Sequence, residues 1–424
     1  MKSTIVAALI GIIMIMSPLA MGNKVLIPMD ESQTDHLKAY GVAYWCLKYG
    51  TNVEWLLNYR GGSFLTDDLP QITEVCRLKG VSYEEISGAD EAGIKKTIEE
   101  NNMESVVLEK APKIAIYAPP DRKYLPWDDA VSLALKYADI PFDIIWDPDV
   151  LAGKLRDYDW LHLHHEDFTG QYGRFYAAYR NTNWYKQDKV FNEKTARDLG
   201  FAKVSKLKLA VVNAIADYVK NGGFLFAMCS ATDTYDIALA ADKTDIVPEE
   251  SDGDAVDPNC NKMLDFSRTF AFENFEVVTN PLIYEHSNID TSPIRQAWGL
   301  NQQNDSFKLF DFSAKWDPIP TMLTQDHEQI INGFWGQTTG FNKQYIKKHI
   351  IIMGETPGTN EAKYIHGDIG KGTFTFLGGH DPEDYQHMVG DPPTDLSLHK
   401  HSPGYRLILN NVLFPAAKKK EMKT

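Results

Sequence analysis

The chain has 424 residues, 43% of them hydrophobic, and a formal net charge of -15. That length and apolar content support two or three packed domains and exclude a disordered chain. The negative charge excludes a nucleic-acid backbone or an anionic membrane surface as the main partner.

Lys2, an apolar run over 5–16 and the small residues of Ala20-Met21-Gly22 read as an export signal, with a mature start near Asn23. The run is too short for a good membrane span, and no later stretch approaches the ~20 apolar residues a bilayer helix needs. The expectation is an exported soluble protein, periplasmic or secreted, with residues 1–22 removed. Cys46, Cys76, Cys229 and Cys260 match neither a disulfide framework nor a CxxC metal knuckle.

Apolar spacing then predicts strands over 24–28, 53–58 and 82–86 and helices over 36–49, 67–79 and 91–101, an N-terminal α/β unit spanning 23–112. A second alternation follows, with strands at 113–117, 142–146 and 160–164 and helices near 127–137 and 149–154. Buried strands linked by helices imply a parallel sheet with right-handed crossovers. Phe168, Tyr172, Phe175, Tyr176, Tyr179 and Trp184 read first as a loop packed on that sheet and second as a pocket wall. A helix over 204–221 stops at Gly222-Gly223, and a strand occupies 224–228.

From 246 to 342 the alternation fails, and this stretch reads as an irregular insertion. Asp252 and Asp254 resemble the opening of a calcium loop, but the twelfth position holds Met263 instead of glutamate, so a solvated acidic loop is expected. Regular structure resumes with a strand at 349–354, a hairpin of 362–366 with 373–377, and a helix over 405–414. Lys418-Lys419-Lys420 reads as a solvated tail. The sheet-forming domain is therefore expected at 113–245 plus 343–424.

Three polar segments stand where strands run out: His162-Leu163-His164-His165-Glu166-Asp167, Cys229-Ser230-Ala231-Thr232-Asp233 and His380-Asp381-Pro382-Glu383. In an open α/β sheet such ends share one crevice. Cys229, between a strand and a helix starting near Asp233, suits a nucleophile, and its alternative is an inert buried thiol. His380 suits a base, and Asp381 or Glu383 an orienting carboxylate. His164, His165, Glu166, Tyr172 and Asp233 are candidate binding residues. His162, His164 and His380, with Asp381 or Glu166, form the alternative zinc set of a hydrolase, with His387, His399 and His401 in reserve.

With those segments, residues 113–241 and 349–416 resemble the class I glutamine amidotransferase-like fold. That resemblance implies a flavodoxin-like, mostly parallel sheet with a cysteine elbow and a late His-Pro-Glu signature. Here Ala227 and Ala231 replace the two elbow glycines, His164-His165-Glu166-Asp167 replaces a glycine-rich oxyanion loop, and Asp381 interrupts the signature. Nearly the whole mature chain, from Ile27-Pro28-Met29-Asp30 to Asn410-Asn411-Val412-Leu413, resembles exported bacterial proteins labelled asparagine synthetase B. It lacks the N-terminal catalytic cysteine and the ATP-pyrophosphatase loop of that enzyme, so no ATP is expected. The trehalose-utilisation-like branch of the amidotransferase fold is the nearer analogue of the Gly378-Gly379-His380 strand end. The function expected is that of a hydrolase-like or ligand-binding protein for a small polar compound, with a non-catalytic carbohydrate-binding module as the alternative.

Overall fold

A computed structural model describes residues 23–120, 129–384, 390 and 392–417. The expected export signal, the first two residues of the helix expected at 127–137, His387 and Lys418 to Lys420 lie outside the described residues.

The N-terminal unit is a five-stranded sheet of β1 (Lys24–Ile27), β2 (Val53–Leu57), β3 (Ser63–Asp67), β4 (Glu84–Ile86) and β5 (Glu104–Leu108), in the order β4-β1-β3-β2-β5. Every pairing is antiparallel, so the alternation of strand and helix here does not build a parallel sheet. β3 and β5 escaped the sequence reading. β3 arises from a tight reversal in which Asn58, Arg60, Gly61 and Gly62 all have positive φ, and a Cβ on Gly61 would lie 2.2 Å from the Met29 carbonyl oxygen. β3 ends on Asp67, the first residue assigned to the next helix, and that helix starts at Pro70, where a missing N–H costs nothing. Helices His36–Lys48 and Pro70–Lys79 pack on one face of this sheet, where Tyr40 meets Trp55 and Phe64. Helix Gly88–Glu100 covers the other face through Ile94 and Ile98.

The second sheet has ten strands: β6 (Ile114–Tyr117), β7 (Asp143–Ile145), β8 (Trp160–Leu163), β9 (Phe224–Met228), β10 (Ser306–Leu309), β11 (Ile330–Asn332), β12 (Phe341–Asn342), β13 (Ile351–Glu355), β14 (Glu361–Ile369) and β15 (Gly372–Leu377). Its order is β11-β10-β13-β14-β15-β9-β8-β6-β7, with β12 paired to β14. Only the β15-β9-β8-β6-β7 part is parallel; the rest is antiparallel. The chain is thus a mixed α/β protein with a partly parallel sheet, which corrects the expectation of a mostly parallel one. The cause is local: the β14–β15 hairpin turns at Gly370-Lys371 and imposes antiparallel pairing. β10 and β11, inside the expected irregular insertion, extend this antiparallel part.

A buried charge cluster ties 246–342 to β14. Arg295 pairs with both Glu361 and Asp305, and Lys363 Nζ lies 2.9 Å from Asp305 Oδ2, all four side chains fully buried. At the start of this stretch Lys203, from the preceding domain, places its Nζ 2.8, 3.0 and 2.5 Å from Asp245, Asp252 and Asp254, so an ammonium occupies the centre of the acidic loop.

Along β8 and β9 side chains alternate between two cores. Trp160, Phe226 and Met228 face helices His36–Lys48, Ala130–Tyr137 and Pro403–Leu413, while Leu161, Leu163, Leu225 and Ala227 face helices Val204–Lys220 and Ser230–Ala240. Helix Pro403–Leu413 joins the two sheets: Tyr40 Oη donates to Asn410 Oδ1 at 2.5 Å, and Arg406 donates to the carbonyls of Met29 at 3.0 Å and Gly61 at 2.6 Å. Among the described residues no helix is long and apolar enough to cross a membrane.

Candidate functional site

Parallel register aligns Leu163 with Ala227 and Met228 with Leu377. The next residues, His164, Cys229 and Gly378, therefore emerge at one edge. Two backbone bonds tie these ends together: Ala231 N–H donates to the His164 carbonyl and Cys229 N–H to the Gly379 carbonyl, each at 3.1 Å.

Cys229 has φ 52° and ψ -139°, between β9 and the N-terminus of helix Ser230–Ala240. Such a backbone is strained for any residue but glycine, and a strand-turn-helix elbow of this kind presents a side chain at the sheet edge. Ala227 and Ala231 fit the turn fully buried. The thiol donates to the Gln337 carbonyl, with Sγ 2.9 Å from the oxygen. Burial pushes it up to about 12, and the Asp233 and Asp290 carboxylates add to the push against a partial offset from the Ser230 amide. It is a protonated thiol at neutral pH.

Residues 334–340 form a strap over this elbow. Gly379 N–H donates to the Thr338 carbonyl at 3.0 Å, the Thr338 hydroxyl donates to Asp233 Oδ1 at 3.0 Å, and Gln337 Nε2 donates to the Gly173 carbonyl at 2.9 Å. Phe334 and Thr338 hold positive φ, of 67° and 52°. Gly336 lies so close that a Cβ there would sit 2.9 Å from His380 Cβ and 3.6 Å from Cys229 Sγ. Gly379 is equally constrained, since its Cβ would fall 1.5 Å from the Phe334 carbonyl oxygen. Asp233 is fully buried, and its Oδ2 has no hydrogen-bond partner among the described residues. Burial and the neighbouring Asp290 push the Asp233 carboxyl well above the usual range. Burial likewise pushes Asp290 up to about 7, although Ser292 donates to it twice.

Beside the strap lies a cluster of imidazoles. His164 and His165 stack with centroids 4.0 Å apart, His380 lies 4.6 and 4.4 Å from them, and His380 Nε2 is 2.9 Å from His165 Nε2. One ring nitrogen from each residue falls within 4.8 Å of the others. Asp129, His162 and His164 form a second such group. Asp129 caps helix Ala130–Tyr137 by accepting from Ser132 N–H at 2.9 Å, and its Oδ1 lies 3.5 Å from His164 Nδ1 and 3.7 Å from His162 Nε2. Burial alone would raise Asp129, but the two imidazoles and the Ser132 amide reverse this and hold it below the usual carboxylate range. Burial drives His162 down to about 4, against the pull of Asp129. His162 Nδ1 is also 3.0 Å from the Phe226 carbonyl oxygen.

The remaining expected site residues lie elsewhere. The Asp381 carboxylate accepts from the amides of Glu383 and Asp384 and from the hydroxyls of Thr394 and Tyr405, at 2.6–3.2 Å, so it organises the loop after β15. Glu383 pairs with His399 at 3.0 Å, and His401 Nδ1 meets His36 Nδ1 at 3.0 Å. His165 is the group against His380 Nε2, in the place expected for Asp381 or Glu383. His162 groups with Asp129 and His164, apart from the trio containing His380. Glu166 offers its carbonyl to the Thr234 hydroxyl at 2.9 Å. Tyr172 packs against Tyr185 under Lys189, and burial pushes its hydroxyl far up. Its aromatic neighbours Phe175, Tyr179 and Trp184 pack on one another and toward Tyr284.

Sequence reasoning missed Asp129, Asp290 and the strap. An aspartate before an apolar helix is a capping signal that would have found Asp129. Nothing local marks the strap, whose place is set by contacts more than a hundred residues away.

No protein-family model matches the chain, and no curated protein does. Among solved structures, two cytoplasmic proteins from Salmonella typhimurium align over 72% of this chain and all of their own. Their identities are 9% and 13% and their TM-scores 0.33 and 0.35. A GH42 beta-galactosidase from G. stearothermophilus aligns over 65% of this chain and 28% of its own, at 9% identity and a TM-score of 0.28. These likenesses are too distant to bear on fold or chemistry.

Proposed function

We propose that this is a hydrolase-like protein of the flavodoxin-like, class I glutamine amidotransferase-like kind, exported and acting on a small polar compound at the carboxyl ends of β8, β9 and β15. The observation that carries this is the backbone of Cys229, a non-glycine residue held at positive φ between a parallel strand and a helix. Strain of that sort persists where the surrounding structure over-determines it, as at a nucleophile elbow. Cys229 is the nucleophile and His380 the base, with His165 at the far side of that imidazole. The thiol is silent while the strap covers it, so attack requires residues 336–338 to withdraw.

In the reaction, His380 takes the thiol proton, sulfur adds to a carbonyl carbon, and the leaving group departs with that proton returned by His380, giving a thioester that water, deprotonated by the same imidazole, hydrolyses to the acid and the free thiol. The test is intact-mass spectrometry after exposure to p-nitrophenyl acetate at pH 8, followed by peptide mapping. In the strap-opening variant Gly336→Ala, acetylation confined to Cys229, abolished by adding Cys229→Ala and at least ~10-fold slower on adding His380→Gln, is expected. Acetylation spread evenly over the four cysteines, or none at Cys229, refutes the assignment. Export is checked separately by the mass of the mature N-terminus.

A further inference from the structure

We propose that His164, His165 and His380 bind one divalent transition-metal ion, zinc being the best match, with Asp129 as the carboxylate that orients His164. Nothing in the thiol chemistry requires this site, and it stands on different observations.

The donor set is the first. Three imidazoles converge at a sheet edge with one nitrogen each inside a 4.8 Å span. Nitrogens bound 2.0–2.1 Å from a tetrahedral ion lie about 3.3 Å apart, so small side-chain rotations bring these three into place. His165 and His380 already stand 2.9 Å apart, nitrogen to nitrogen. Such a contact needs a proton on one ring, and an ion can replace that proton.

His164 is the second. Its side chain is 3% exposed, yet neither ring nitrogen has a hydrogen-bond partner among the described residues. Burying an imidazole unsatisfied is costly, and a ligand on one nitrogen with a carboxylate on the other removes that cost. The carboxylate is present, since Asp129 Oδ1 lies 3.5 Å from Nδ1. That leaves Nε2 for the ion, in the carboxylate–histidine–metal arrangement that fixes a ligand's tautomer and raises its basicity.

Asp129 is the third. The bond it accepts from Ser132 N–H at 2.9 Å, capping helix Ala130–Tyr137, fixes its position beside His164. His162, bonded to the Phe226 carbonyl, braces the far side of Asp129. Three protein ligands leave one position of a tetrahedral ion open, as in sites that also hold water or a substrate oxygen. An ion here uses His380, so the loaded protein has no free base for Cys229: zinc and thiol acylation exclude one another.

The test uses the full chain without a histidine tag, stripped by chelation, dialysed against zinc at neutral pH and counted by elemental analysis. Cobalt serves as a visible reporter of four-coordination. One ion per chain is expected, with affinity at least ~100-fold weaker in His164→Gln and His380→Gln and ~10- to 100-fold weaker in Asp129→Asn. His165→Gln alters only a half-buried residue and decides the matter if the buried variants fail to fold: it too must lose the ion. Less than ~0.1 ion per chain in the unmutated protein, or retention of the ion by His165→Gln and Asp129→Asn, overturns the site. No ion after zinc dialysis, with Cys229 of Gly336→Ala acetylated, would remove this inference and leave the thiol assignment standing. Ion binding by the unmutated protein, with no acetylation of stripped Gly336→Ala, would do the reverse.

Discussion

Replacing Gly336 by alanine should uncover Cys229. The new methyl would sit 2.9 Å from His380 Cβ, 3.2 Å from His380 N and 3.6 Å from Cys229 Sγ, and the first two contacts are too close to persist. His380 follows Gly379, whose carbonyl accepts from Cys229 N–H at 3.1 Å and so is tied to the sheet edge, which leaves the strap as the part free to yield. With the thiol at about 12, only ~3 in 100,000 are ionised at pH 7.5, against ~3 in 100 for a thiol at its ordinary value of 9. The sealed elbow therefore slows alkylation about a thousandfold, and that factor is the ceiling on what opening can restore. The assay is timed labelling with iodoacetamide at pH 7.5, read cysteine by cysteine from digested peptides. Cys46 and Cys76 are also pushed up to about 12 by burial and serve as internal clocks for global unfolding. In the unmutated protein Cys229 should label as slowly as these two. In Gly336→Ala it should gain at least ~10-fold while they do not change. Labelling of Cys229 at a free-thiol rate in the unmutated protein, or no gain relative to Cys46 and Cys76 in the variant, would refute the sealing described here.

Two further outcomes test the energetics. Burial, Arg406 and His327 drive His36 down to about 2, so it stays neutral in the fold while the unfolded chain protonates near 6.5. The unfolded state then binds the extra proton, so stability falls as pH drops through 6.5, by up to ~1.4 kcal/mol per pH unit for this residue. His36→Gln should flatten the slope of urea-derived stability between pH 6 and pH 4 by about that amount, and an unchanged slope would contradict it. Arg295→Met should cost about 3–5 kcal/mol, because it strands Glu361 and Asp305 as buried carboxylates with Lys363 as their remaining cation. Chemical denaturation measures it, and a loss below ~1 kcal/mol would show that the cluster carries little of the fold.

Much of the scaffold was legible because it depends on local signals. Apolar periodicity and the Gly222-Gly223 stop place helix Val204–Lys220 and β9, and two glycines before His380 mark the end of β15. β3 was not legible, since its start depends on a four-residue reversal held by contacts with Met29. The pairing direction of the N-terminal strands was equally hidden: strand-helix alternation fits either direction, and the antiparallel order is set by packing across the sheet. At the site, the three strand ends could be read from sequence, but not the carboxylate roles. Asp381 and Glu383 stand beside His380 in the chain, yet their oxygens are used by loop amides, Tyr405 and His399. Nor does sequence predict the thiol's state, because a segment more than a hundred residues downstream buries it.

The seating of helix Pro403–Leu413 between the two sheets has a consequence for how the chain is made. Tyr40 and Met29, near the start, take their hydrogen bonds from or give them to Asn410 and Arg406, near the end. The ribosome releases the former hundreds of residues before the latter exist. Until the last helix emerges, the apolar side of helix His36–Lys48 has no permanent cover on that flank, and a nascent chain must carry it exposed through most of synthesis. Such end-to-end closure gives a high contact order and slow final docking. It makes the growing chain a natural client of holding chaperones, and a stop codon shortly before Pro403 would leave both sheets unable to finish, however complete their own strands.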